Sequence, residues 1–116
     1  MSTLTPEDKL LSTLGLCARA RKLVMGTPMV CEALRQGRPR VHLVVAASDN
    51  SENTAKRLHD RCAFYGVRLV IAEADGVCLS DALGKSGRVA AVAITDEHLC
   101  RLVEGSLEEK NINTCK

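Results

Sequence analysis

A short basic and apolar segment, "RKLVMGTPMVCEALRQG" (residues 21–37), has the clearest potential for chemistry in this sequence. Arg21 and Lys22 precede an apolar run, Gly26 follows it, and a Thr-Pro pair opens a helical pattern. A helix start presents unpaired N–H groups and a partial positive charge, which suits a phosphate. Gly26 lets another backbone approach because it has no Cβ. Every helix start shares the first property, so the segment favours an anionic partner without identifying one.

The sequence contains only weak matches to the motifs of enzymes. The stretch "LGKSG" (residues 83–87) contains Gly-Lys-Ser, but Leu79 stands where a P-loop has its upstream glycine. The stretch also follows a helical pattern and precedes a strand, the reverse of the P-loop order. No Ser/His/Asp or Cys/His grouping has a suggestive spacing. Four acidic residues are interpreted as helix caps and solvated positions: Asp49, Glu52, Asp60 and Asp96. We therefore expect no enzymatic activity.

The six cysteines indicate neither a disulfide framework nor a metal site. They form no C-x-x-C pair and do not cluster with the three histidines, as a zinc site would require. The first ten residues lack the basic and apolar segments of a secretory signal, and no stretch is long enough to span a membrane. We expect a cytoplasmic protein with reduced thiols. Five cysteines should be buried as small hydrophobes, and Cys115 should lie in a polar tail.

The charges are distributed unevenly along the 116 residues, whose net charge is +2. Residues 1–40 carry seven Lys or Arg and three acids, a net charge of +4, whereas residues 41–104 carry seven and nine, a net charge of −2. This asymmetry favours an anionic partner near the first third of the chain. A solvated basic face explains the charge equally well.

The apolar patterning predicts a small α/β domain. Strands that are apolar on both faces are predicted at residues 41–47, 67–72 and 89–95, with a short extra strand at 23–25. Helices are predicted at about 5–18, 27–36, 51–65, 76–83 and 96–104, with Thr5 and Thr27 as caps. Strands of this kind, alternating with amphipathic helices, indicate a sheet covered on both sides. The predicted fold class is α/β, a three-layer α/β/α sandwich with a central mixed, mostly buried sheet of about four strands.

A single domain is predicted over residues 1–104, followed by a polar tail over residues 105–116. Phe64 and Tyr65 are the only aromatic residues. They fall at a predicted helix end, where we expect them to pack into the core. Recognition of RNA by base stacking needs exposed aromatic side chains, so this mode of binding is disfavoured.

Three stretches carry a family resemblance by their order and spacing: "LLSTLGLCARARKLVMG", "EALRQGRPRVHLVVAASDNSENTAKRLHDRCAFYGV" and "LSDALGKSGRVAAVAITD". From about residue 10 to residue 103 the sequence resembles the bacterial branch of the L7Ae/L30e superfamily of ribosomal, kink-turn RNA-binding proteins. The resemblance implies a three-layer α/β/α domain that binds structured RNA and has neither catalytic residues nor a cofactor.

The resemblance also implies two RNA-binding elements, the start of the second helix and the loop before the last strand. The residues matched to these elements are Gly26, Thr27, Pro28, Met29, Lys85, Ser86, Gly87 and Arg88. Lys22, upstream of the helix start, is added to the candidate site because its charge could neutralise a phosphate. The archaeal and eukaryotic pattern Gly-x-Asn-Glu stands here as Gly-Thr-Pro-Met, and a family lysine falls at Glu32. We expect these replacements to weaken the reading of guanines in a standard kink-turn, with Glu32 repelling phosphate.

Two functions stay open at this point. The first is non-catalytic binding of structured RNA, ribosomal or kink-turn-like. The alternative is a protein-interaction or ribosome-assembly module that kept the fold and retains weak, non-specific affinity for RNA. The expected partners are RNA and ribosomal proteins, with no membrane, no metal and a monomeric state.

Overall fold

A computed structural model describes residues 6–38 and 40–110, with side chains described for residues 9–38 and 40–105. The described chain forms five helices and four strands. The helices are α1 (Pro6–Arg19), α2 (Thr27–Gln36), α3 (Glu52–Tyr65), α4 (Gly76–Ala82) and α5 (Glu97–Lys110). The strands are β1 (Leu23–Met25), β2 (Leu43–Ala46), β3 (Arg68–Ile71) and β4 (Ala91–Ile94).

The four strands form one mixed sheet in the order β1-β4-β2-β3. Strand β4 is antiparallel to both of its neighbours, β1 and β2, whereas β2 and β3 are parallel. Strands β1, β2 and β3 therefore finish at one end of the sheet, where β4 begins. We call this the carboxyl end, and the opposite end the amino end.

Helices cover both faces of the sheet. Leu43, Val45, Val92 and Ile94 pack with the buried residues of α1 and α5 on one face. The alternate residues of β2 and β4 pack against α2 and α3 on the other face. Every residue of β2 and β4 is buried, as expected for strands that are apolar on both sides. The predicted three-layer sandwich with a four-stranded mixed sheet is confirmed.

The structure corrects two of the predicted elements. Strand β3 was expected to be buried, but Arg68 is exposed and Ile71 is 52% exposed, because β3 pairs only with β2 and forms an edge of the sheet. The last helix was expected to end near Glu104, but α5 continues to Lys110. The predicted cap Thr5 lies outside the described residues.

The cysteines of the described chain are free thiols, and Cys17, Cys31, Cys62 and Cys100 are buried as predicted. Burial raises the pKa of Cys17 and of Cys62 to about 11. The prediction for Cys78 is wrong, because this residue lies on the exposed side of α4. Its thiol lies beside Asp75, and that hydrogen-bonded carboxylate raises its pKa. Cys115 lies outside the described residues.

Helix α1 ends in a left-handed turn made by an arginine. Arg21 has φ of 61°, and it is the only described residue other than glycine with a positive φ. Its N–H donates to Ala18 O (3.1 Å), and the N–H of Lys22 donates to Cys17 O (2.9 Å). These bonds close the helix, but the Cβ of Arg21 is crowded in this conformation, which glycine adopts freely.

We expect Arg21→Gly to stabilise the fold by about 0.5–1 kcal/mol, because the strain relieved exceeds the extra entropy of the unfolded chain. Thermal unfolding should show a midpoint a few degrees higher. Arg19→Gly is the matched control, since it removes the same charge inside α1, and it should lower the midpoint. A lower midpoint for Arg21→Gly would contradict the strain assigned to this turn.

Candidate nucleic-acid interface

The carboxyl end of the sheet brings together the starts of three helices and the loop before β4. Helix α2 follows β1 directly, α3 follows β2 after a short turn, and α4 follows β3. The loop of residues 84–88 leads into β4 at this same end, among the three helix starts, because β4 runs antiparallel to its neighbours. The two elements expected to bind RNA therefore belong to the same end of the molecule.

The turn before α2 is made at Gly26, the N-cap of the helix, which has φ of 95° and ψ of 140°. Its N–H donates to Ala91 O (2.8 Å), and its carbonyl accepts from Val30 N (2.9 Å). No side chain caps the helix. Pro28 has no N–H, so Thr27 and Met29 present the N–H groups of the first turn. The start of α2 is thus open to an acceptor.

Thr27 does not cap α2 as predicted. The conformation needed at the cap is open to glycine, so the helix begins one residue earlier and Thr27 is its first helical residue. The Thr27 hydroxyl is buried and has no hydrogen-bond partner among the described residues. By contrast, Ser51 and Asp75 do cap α3 and α4 with their side chains.

The loop before β4 is exposed but tied down at both sides. Residues 84–88 are all exposed, and the turn uses left-handed glycines, with φ of 74° at Gly84 and 85° at Gly87. The N–H of Lys85 donates to Ser80 O (2.9 Å), and the N–H of Val89 donates to Gly76 O (3.0 Å). The side chains of Lys85 and Ser86 make no hydrogen bond or ion pair with described residues, so they are available to a ligand.

Arg88 has a structural role in this loop. Its Nη2 donates to Asp49 Oδ1 (2.6 Å) and to Asp49 O (3.0 Å). Asp49 Oδ1 also accepts from Gly76 N (3.0 Å). The hydrogen bond from Arg88 is the main cause that lowers the pKa of this carboxyl group, and the hydrogen bond from the Gly76 N–H lowers it further. Arg88 is predicted to bind RNA, and in the structure its side chain also joins the loop to the turn after β2.

The Arg88 side chain crosses the start of α4 directly above Gly76. A Cβ added at Gly76 would lie 2.8 Å from Arg88 Nε and closer still to Cγ. Only glycine leaves room for this path. Sequence reasoning missed Asp49 and Gly76, having assigned Asp49 to a cap or a solvated face. The polar turn after β2 was the one visible signal, and nothing in it identified a partner 39 residues away.

Lys22 does not lie at the carboxyl end of the sheet with Gly26 and the loop before β4. It precedes β1 at the amino end of the sheet, where its carbonyl accepts from Thr95 N (3.0 Å). About 13 Å of extended chain separates it from Gly26 at 3.3 Å per residue. Much of the positive charge of the first third lies at this end. The basic residues before β1 and before β2 are Arg19, Arg21, Lys22, Arg38 and Arg40.

The carboxylate of Glu32, which is expected to repel phosphate, is paired with side chains of its own helix. Arg35 Nη2 and Gln36 Nε2 (2.6 Å) both donate to its carboxylate. The hydrogen bond from Arg35 is the main cause that lowers the pKa of Glu32, and the hydrogen bond from Gln36 lowers it further. Both partners lie toward the carboxyl end of α2, so the charge of Glu32 is drawn away from the helix start.

The described residues contain no group of three His, Cys, Asp or Glu side chains that could hold a metal ion. None of the helices in the described part of the chain is long and apolar enough to cross a membrane.

Residues 8–104 match the model of the ribosomal protein L7Ae/L30e/S12e/Gadd45 family. The chain is 42% identical over 84 residues to the RNA-binding protein YlxQ of Bacillus subtilis, an alignment that covers 72% of this chain and 80% of that protein. It is 33% identical over 60 residues to the RNA-binding protein YlxQ of Enterococcus faecium, covering 52% and 56%.

Two solved structures are similar to the fold. A Bacillus halodurans protein of unknown function has a TM-score of 0.78 and 34% identity, covering 86% of this chain and 97% of its own. The Giardia lamblia 15.5 kDa RNA-binding protein has a TM-score of 0.76 at 18% identity, covering 94% and 90%. At that identity the second similarity concerns the fold alone.

We expect Asp49→Asn to loosen the loop before β4. The amide oxygen can still accept the Gly76 N–H, but it offers Arg88 no charge. Amide hydrogen exchange at Val89, whose N–H bonds to Gly76 O, should become several-fold faster. The control is Asp60→Asn on α3, which removes a similarly exposed carboxylate, and it should leave exchange at Val89 unchanged.

Acid should act in the same way as this substitution. The pKa of Asp49 is lowered in the folded protein, so its bond to Arg88 is intact above the unfolded pKa of aspartate, about 3.9. The bond is lost as the pH falls through the lower, folded-state pKa. Exchange at Val89 that stayed equally slow through this range, after correction for the intrinsic pH dependence, would contradict the role given to Asp49.

Proposed function

This chain belongs to the ribosomal protein L7Ae/L30e/S12e/Gadd45 family, and we propose that it binds structured RNA with the carboxyl end of its sheet. Family membership confirms the resemblance read from the sequence and, together with the relatives, the prediction that the chain is not an enzyme. The proposal extends to a cytoplasmic monomer that binds ribosomal or other structured RNA, with ribosomal proteins as further partners.

One observation supports this proposal above the others, the uncapped start of α2 beside the loop before β4. The N–H groups of Thr27 and Met29 offer hydrogen bonds and a partial positive charge to a phosphate. Gly26 is hydrogen-bonded to Ala91, three residues after Arg88, so the loop and the helix start can contact one RNA together. Lys85 supplies a charge that no described carboxylate neutralises.

The side chains at the start of α2 favour contacts with the RNA backbone over reading of bases. Pro28 is exposed and has no hydrogen-bonding group, while Met29 is 59% exposed and offers only a weak sulfur acceptor. Guanine edges need polar side chains held at fixed positions. We therefore propose that recognition depends on RNA shape and phosphate positions, with poor affinity for a standard kink-turn.

A specific observation favours the second candidate, a protein-interaction or ribosome-assembly module with weak RNA affinity. Three of the exposed large apolar side chains lie at the carboxyl end of the sheet: Met29, Ile71 (52% exposed) and Val77 (52% exposed). Side chains of this kind can add apolar contacts to a surface that binds another protein. The salt dependence of RNA binding separates the two candidates, because a module without a phosphate site loses no specific contact when Lys85 is changed.

Lys85→Gln should weaken binding to every structured RNA and reduce the slope of log affinity against log salt by about one, the loss of one phosphate contact. The measurement is fluorescence anisotropy of a labelled hairpin with a three-nucleotide bulge, repeated over a salt series. Arg101→Gln is the control, since Arg101 lies on α5 and pairs with Glu97 (2.8 Å). Equal losses for the two variants would move the site away from this loop.

The double variant Pro28→Asn/Met29→Glu should gain affinity for a kink-turn duplex and not for a fully paired duplex. Each base edge that finds a partner again is worth roughly 1–3 kcal/mol. Folding of an end-labelled kink-turn RNA on titration reports the change, with Pro28→Ala/Met29→Ala as the control. If the unmodified protein already folds this RNA at nanomolar concentration, the argument from Pro28 and Met29 fails.

A further inference from the structure

The two aromatic side chains lie at the end of α3, and of the two only Tyr65 packs against the core as predicted. Phe64 is 81% exposed and Tyr65 is half-buried. Their rings meet edge to face, with centroids 4.9 Å apart. The buried stripe of α3 passes through Leu58 and Cys62, and Phe64, two residues further, is turned to the opposite side of the helix. The exposed Phe64 ring is therefore accessible to a ligand.

A cleft of about 330 Å³ begins beside Tyr65. It lies at the amino end of the sheet, between the end of α2, the segment leading into β2 and the end of α3. Leu34, Val41 and Val67 form apolar parts of its wall, while Arg40 and Tyr65 supply a cation and an aromatic ring. Tyr65 also borders a second depression, which Asp60, Arg61 and Phe64 line with it. The two depressions therefore meet at the aromatic pair.

The charge around the aromatic pair is positive. No carboxylate among the described side chains forms an ion pair with Arg40 or Arg61. The acidic neighbours are already paired: Asp60 accepts from Lys56 (2.9 Å), and Glu32 is bound by Arg35. Two guanidinium groups thus remain beside the exposed ring of Phe64 and the half-buried ring of Tyr65. Aromatic rings beside cationic groups are the pattern by which proteins bind single-stranded nucleic acid, with bases stacked on rings and phosphates on basic groups.

We propose that Phe64, Tyr65, Arg40 and Arg61 form a second RNA-binding site, which takes unpaired nucleotides of the RNA bound at the carboxyl end of the sheet. The inference rests on the proposed function and names the kind of RNA, a structured element flanked by single-stranded nucleotides. A base stacks on the aromatic pair or enters the cleft, and the adjoining phosphates lie against Arg40 and Arg61.

The spacing of the two sites suits one continuous RNA. They lie at opposite ends of α2, a helix of ten residues and therefore about 15 Å long. This length corresponds to roughly four steps of a stacked strand at 3.4 Å each. A structured element held at Gly26 can place its flanking nucleotides at Tyr65.

The chain carries its own reporter for this site, because Tyr65 is the only tyrosine and the sequence has no tryptophan. Stacking of a base should quench tyrosine emission. The probe is a ten-nucleotide oligouridylate. It is used unlabelled to measure the tyrosine emission of the protein, and end-labelled to measure binding by fluorescence anisotropy at low salt. We expect quenching on binding, and we expect Phe64→Ala and Arg61→Gln each to weaken binding about tenfold. Both residues are exposed, so neither change should unfold the protein.

Two controls separate this site from the first. Leu16→Ala, which shortens a 47% exposed apolar side chain on α1, should leave oligouridylate binding unchanged. Lys85→Gln should weaken binding of the bulged hairpin and leave the quenching of Tyr65 by oligouridylate intact. These results together would support two separate sites.

Two results would overturn the inference alone: unchanged tyrosine emission at saturating oligouridylate, or equal affinity of Phe64→Ala and the unmodified protein. Either would assign the aromatic pair to another occupant, such as a protein. In both cases, hairpin binding that depends on Lys85 would leave the proposed function standing. Failure of the unmodified protein to bind either RNA would reject the proposed function and this inference together.

Discussion

The reversed central strand β4 is the constraint on which the rest of the structure depends. Its backbone pairs with β1 on one side and with β2 on the other. Just before β4, Ala90 O accepts from Ala47 N (2.8 Å) and from the side chain of Asn50 (3.0 Å). A strand that runs against its neighbours begins where they end. The loop that leads into β4 is therefore placed among the starts of α2, α3 and α4 by the pairing of the sheet alone.

Much of the fold follows from the sequence because apolar periodicity reports the environment of a segment. The runs around Val44 and Val92 are apolar at every position, and both strands are buried on both faces. Periodicity does not report which strands pair, so the edge position of β3 could not be predicted. Nor could it separate Phe64 from Tyr65, since an aromatic residue at a helix end fits the core and the surface equally well.

The candidate site likewise contains residues that the sequence could identify and contacts that it could not. Gly26 was identified from its position before a helix, and its left-handed φ and missing Cβ are local properties. The tie between Arg88 and Asp49 joins residues far apart in the chain, and the sequence contains no local signal for it. The basic bias of the first third was real, but β1 and α2 separate that charge from Gly26 and leave much of it at the amino end of the sheet.

The position of β4 also affects the order in which the protein can be completed during synthesis. The strand at the middle of the sheet is the last of the four to leave the ribosome. Until then β1 has no partner in the sheet, and β2 has only β3. From the synthesis of β2 until β4 emerges, the nascent chain must keep an apolar edge of β2 unpaired, which exposes it to mispairing. The complete sheet, which its last strand closes at the centre, can therefore form only late.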